Sequence, residues 1–183
     1  MEESIEVRNA QTMAIAGLIV AARKVNESLG SFSGWLIAGV GGAFTLLLGS
    51  YETVSRFVCV SNIKAALLLL VIGLIVSIFA RLLSAIVSSA LGSHDASTAL
   101  FKQHVQAGEK FDVARFISEF ERGLFPYQRW VAQRTMKKAL SGDIVASARL
   151  IAKLSQAQAL LVLSEALLAI TAAAALVSGL KTM

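Results

Sequence analysis

Apolar residues along this chain gather into long blocks, and the polar residues collect between them. The first block, "TMAIAGLIVAARK", holds an uncharged run from Met13 to Ala22. As a helix that run rises about 15 Å, half of a bilayer's hydrocarbon core, so it is too short to span by itself. Ile15, Leu18, Ile19, Ala22, Val25 and Leu29 recur at three- and four-residue steps. That spacing predicts an amphipathic N-terminal helix over residues 1–30. It would lie either in the membrane surface or on the chain's own spanning helices.

The second block, Ser33 to Ser50, is uncharged and just long enough to cross a bilayer. Trp35 and Tyr51 stand near its two ends, where aromatic side chains favour the interfaces. Gly34, Ala38 and Gly42 repeat every four residues and so share one helix face. Small side chains there let another backbone approach closely, in the same chain or a second one. The short link "YETVSRFVCVSNIK" then predicts an antiparallel hairpin with the third block. That block is apolar without interruption from Ala65 to Ala80, and its helical pattern runs on to Leu91, with Gly92 as the expected stop.

From Ser93 to Gln156 the pattern changes. Charges appear, and apolar residues recur at helical spacing, as in Val113, Phe116, Ile117, Phe120 and Leu124. Three short helices are expected: one capped by Ser93 or Asp95 and ended by Gly108, a second after it, and a third opened by Pro126 and ended by Gly142. Asp143 is the expected N-cap of a last helix without a breaker to Leu180, about 54 Å of rod. Its apolar part, from Ala157, makes a third span. The fold class is therefore all-α: a polytopic helical membrane protein with an amphipathic N-terminal helix (1–30), a transmembrane hairpin (31–92), a cytoplasmic helical subdomain (93–156) and a third transmembrane helix with the C-terminus (157–183).

Composition agrees. Hydrophobic residues make up 56% of the 183 and charged residues 16%, against about 45–50% and about 25% in soluble domains. The net charge of +5 reads as basic flanks meeting anionic lipid. Arg8, Arg23, Lys24, Arg81 and most cations of 93–156 fall on one side of the spans; Arg56, Lys64 and Lys181 fall on the other. The positive-inside bias places the first group, with the N-terminus and the subdomain, in the cytoplasm, and the C-terminus outside. Small size and the absence of sorting signals point to a bacterial inner membrane.

Chemistry-bearing residues are few. Glu165 interrupts the last span, about 9 Å from its cytoplasmic end if the span begins at Ala159. A carboxylate at that depth must face protein or water, not lipid. Arg81 enters from the same side, so a Glu165–Arg81 contact, within or between chains, is expected; a proton or ion relay is the alternative. Arg122, Tyr127, Arg129, Trp130, Arg134, Lys137 and Lys138 mix cations with aromatic rings and no acid. In a tethered segment that chemistry suits a membrane surface or a cytoplasmic protein partner better than nucleic acid.

Cys59 is alone, so no disulfide within the chain is possible. His94 and His104 lie about 80° apart on a helix, poorly placed as joint ligands. No motif for a nucleotide, a metal or a catalytic triad is present, so no cofactor, metal site or catalytic residue is expected. The layout looks like that of small membrane components of bacterial anti-phage or exclusion systems. The functions open at this point are a non-enzymatic, oligomeric sensor, effector or pore-type subunit that docks a cytoplasmic partner, an ion channel or transporter subunit using Glu165, and a lipid-acting enzyme using a histidine.

Overall fold

The computed structural model describes residues 2–107 and 141–181 and, between them, 115, 118, 119, 122, 123, 126, 129, 130, 133, 134, 137 and 138. Four helices are described from end to end: α1 (Glu2–Gly49), α2 (Tyr51–Phe57), α3 (Val60–Ala107) and α4 (Ala146–Ser178). Three of them are long and apolar enough to cross a membrane, over Asn9–Gly49, Val60–Leu100 and Ala146–Ser178. Their apolar windows are only 11%, 28% and 17% buried, so most of this hydrophobic surface faces outward. Three such helices suggest a multi-pass membrane protein.

Among the described residues, the first two long helices extend further than the sequence pattern predicts. α1 has 48 residues, about 72 Å, and joins the expected N-terminal helix to the second block without a break. Residues 1–30 therefore form no separate amphipathic helix, although Ile19 and Ala22 of the expected stripe are buried. α3 likewise runs through Gly92, Ser93 and Asp95 to Ala107. Gly92 is no stop there, and neither Ser93 nor Asp95 is a cap. One glycine costs a helix only about 1 kcal/mol, which long flanking turns easily absorb. Asp95 instead forms an ion pair with Arg23, 2.7 Å, along the polar face of α1. Asp143 does not cap α4, which starts at Ala146; its carboxylate binds Arg149 at 3.1 Å. Gly142 does mark a turn, with φ +102°, a backbone region that glycine enters without strain. Gly108 lies outside the described residues, as do most of those expected to form the second short helix.

The chain packs as two compact units, Met1–Arg23 with Val87–Lys153 and Lys24–Ile86 with Leu154–Met183. The first buries Ile19, Ala22, Val87, Leu91, Val145, Ala148 and Ile151, an apolar interior. The second is a bundle of α1, α3 and α4 segments closed by α2. Its buried positions step by seven: Asn26, Ser33 and Val40 on α1; Ser77, Leu70 and Ile63 on α3, with half-buried Ser84 one step before them; Gln158, Glu165 and Ala172 on α4. A seven-residue repeat keeps one seam of each helix facing its neighbours, as in left-handed coiled coils.

One end of this bundle is apolar and tightly tied. Val40, Ala66, Leu70 and Ala172 form its core, with Phe44, Leu47, Leu69, Leu74 and Leu176 packed around them. Past the end of α4 the backbone pairs with the α2–α3 link: Cys59 N–H donates to the Gly179 carbonyl (2.8 Å) and Lys181 N–H to that of Phe57 (2.9 Å). The Asn62 amide donates to the Ala175 carbonyl at 2.8 Å and to Ser178 Oγ at 3.1 Å, satisfying groups that the helix end leaves open. Position 179 must be glycine for close approach, since a Cβ there would stand 2.5 Å from Asn62 Cβ.

Candidate functional site

The other end of the same bundle buries polar groups. Two successive steps of the seven-residue repeat carry side chains with oxygens where the apolar end carries Val40, Leu70 and Ala172. In the first layer Ser84 Oγ donates to Asn26 Oδ1 at 2.9 Å, and Gln158 occupies the α4 position. One step on, Ser33 Oγ donates to Glu165 Oε2 at 3.4 Å, and Ser77 occupies the α3 position. The shift of seven residues, about 10.5 Å on each helix, makes this the next level of the bundle.

These groups are buried more completely than they are bonded. Glu165 is 0% exposed, Gln158 1%, and Ser33 and Ser77 each 2%. Yet Glu165 Oε1, Gln158 Oε1 and Ser77 Oγ have no hydrogen-bond partner among the described residues. Leaving such atoms unpaired in a low-dielectric interior costs free energy, most of all for a carboxylate. The hydroxyls on the outer surface behave differently. Thr45, Ser164 and Thr171 each donate to the carbonyl four residues back, at 2.9, 2.8 and 2.7 Å. That route is open to any helical serine or threonine. The exposed hydroxyls take it, and buried Ser77 does not.

Glu165 is fully buried in the bundle, and among the described residues of one chain it makes no ion pair with Arg81. The Arg81 guanidinium lies against Gly34 instead: a Cβ on Gly34 would sit 2.7 Å from its Nη2. Arg81 is itself exposed and lines an open groove of about 510 Å³ between α1 and α3, with Ile37, Leu74, Ser77, Ile78 and Leu82. Glycine at 34 is what lets the guanidinium come so close to the α1 backbone.

Of the small-residue face, Gly34 is half-buried, whereas Ala38 and Gly42 are exposed, with open space around Gly42. No helix among the described residues occupies that part of the face. In the basic–aromatic segment, Arg122 pairs with Glu119 at 3.0 Å and the Arg134 guanidinium lies 5.5 Å from the Trp130 ring centre. Arg129, Lys137 and Lys138 are exposed, and Tyr127 lies outside the described residues. His94 is half-buried in α3. Among the described residues no three His, Cys, Asp or Glu side chains gather into a metal-binding group.

Sequence reasoning found Glu165 but missed Ser33, Ser77, Gln158 and Asn26. The signal was present: small polar residues and amides recur seven apart on three helices. Each is unremarkable alone, and only their shared period marks an interior. No known protein family, curated protein or solved structure matches this chain.

Proposed function

We propose that this protein is a non-enzymatic, pore- or effector-type subunit of a bacterial inner membrane, and that Glu165 is the group through which it admits small cations to the membrane interior. The observation that carries this reading is the complete burial of Glu165 with one oxygen unpartnered and no ion pair. An ionisable residue held inside a membrane bundle at such cost is the mark of an ion or proton path. A purely structural carboxylate would be paired, and this one accepts a single long hydrogen bond from a serine.

The basic flanks support an N-terminus in the cytoplasm and a C-terminus outside. The exposed Ala38–Gly42 face supports self-association through α1. The exposed cations of 122–138 support docking of a cytoplasmic partner or the anionic membrane surface.

The test is reconstitution into vesicles carrying a salt gradient, with a potential-sensitive dye as readout. The wild-type protein dissipates the gradient, and Glu165→Ala slows this at least about tenfold, the loss expected when one charge-stabilising contact of roughly 1.4 kcal/mol is removed. A wild-type protein that leaves the gradient intact contradicts the proposal. Undiminished flux in the variant removes Glu165 from it.

A further inference from the structure

Resting on that reading, we infer that the Ser33–Ser77–Glu165 layer is a binding site for a monovalent alkali cation. The seven-residue repeat sets Ser33, Ser77 and Glu165 at one level of the bundle on three helices, and all three are buried. Glu165 Oε1 and Ser77 Oγ are buried and unspent. Ser33 Oγ uses its hydrogen toward Glu165 Oε2 and keeps its lone pairs. All the donors are hard oxygens, with no imidazole or thiolate among them, which selects alkali and alkaline-earth ions over transition metals.

Charge then selects within that group. The layer has one carboxylate, so a singly charged ion leaves it neutral, whereas a divalent ion leaves a buried net positive charge, which is costly. An alkali ion cancels the carboxylate charge and can draw on oxygens from all three side chains. Ser77 also stands in the wall of the groove between α1 and α3.

Arg81 sets the affinity. Its guanidinium, held against Gly34 next to Ser33, is the cation nearest in sequence and register to the layer, yet it makes no ion pair with Glu165. It opposes a second positive charge without replacing it. Removing it therefore tightens cation binding.

The experiment is thermal unfolding of the purified full-length protein in neutral detergent, with sodium chloride titrated against choline chloride at constant ionic strength and potassium chloride as a parallel series. Sodium, potassium or both raise the unfolding midpoint saturably over choline. Ser77→Ala weakens the apparent affinity about tenfold, the loss of one ligand worth roughly 1.4 kcal/mol. Glu165→Gln abolishes the response, and Arg81→Gln strengthens it. Equal midpoints in all three salts for the wild-type protein overturn the inference without needing any variant to fold. So does a full response in Glu165→Gln. Cation-specific stabilisation without flux in the vesicle assay would leave this site standing and overturn the pore reading alone. Flux without cation-specific stabilisation would do the reverse.

Discussion

The two ends of the Lys24–Ile86/Leu154–Met183 bundle use the same helices and the same seven-residue repeat for opposite ends. At one, Val40, Leu70 and Ala172 fill the interior, and Asn62 and the Val58–Leu180 bridge satisfy the backbone where α4 stops. At the other, Asn26, Ser33, Ser77, Gln158 and Glu165 fill the equivalent positions, and three of their oxygens are left without a partner. Stability gathers at the first end. The second carries polar groups whose burial disfavours folding, and such groups persist where they serve something other than stability. The difference teaches that the bundle's period specifies the packing, while the choice of residue at each step specifies the job.

The comparison can be broken by mutation. Leu70→Ala should have the largest effect, a loss of about 2–5 kcal/mol in unfolding free energy, because it opens a cavity at the centre of the apolar end. Denaturant titration in detergent micelles measures it, and a loss below about 0.5 kcal/mol would show that this end is not the anchor. Gly179→Ala comes next, at about 1–3 kcal/mol, since the new methyl collides with the Asn62 stem rather than with the tip of a flexible side chain. Asn62→Ala should cost about 1 kcal/mol through the lost bonds to Ala175 and Ser178, and faster amide exchange at the end of α4 would report it.

Changes at the polar end should be milder or opposite in sign. Ser77→Ala removes a hydroxyl that has no partner, so its unfolding free energy in choline chloride should stay within about 0.5 kcal/mol of the wild type or rise above it. Gly34→Ala should be the smallest, within about 0.5 kcal/mol, because the atoms it meets are the mobile end of Arg81.

Much of this fold was legible in the hydropathy pattern. Three spans, the antiparallel hairpin and the inward turn of Glu165 follow from apolar run length and from the cost of a carboxylate in lipid. The helix boundaries were less legible, for local reasons. Gly92 and the Ser93–Asp95 pair look like punctuation, yet α3 continues through them, and Asp95 pairs with Arg23 instead of capping. Asp143 resembles a cap for the same reason and is claimed by Arg149. Within one chain Glu165 lies beside Ser33 rather than Arg81, the partner to which charge complementarity points. The register sets Ser33 beside the carboxylate and Gly34 beside the guanidinium. Register between helices is a tertiary property that no single run of residues displays.

The most direct test of this account is the unfolding free energy of Glu165→Leu in choline chloride, where no alkali ion is present to favour the wild-type protein. Leucine is an apolar side chain of broadly similar bulk and removes the unpaired carboxylate, so the variant should be as stable as the wild type or more stable by about 1–4 kcal/mol. A variant less stable than the wild type by more than about 1 kcal/mol would mean that Glu165 holds the bundle together, and would contradict the claim that it is kept for the passage or binding of ions.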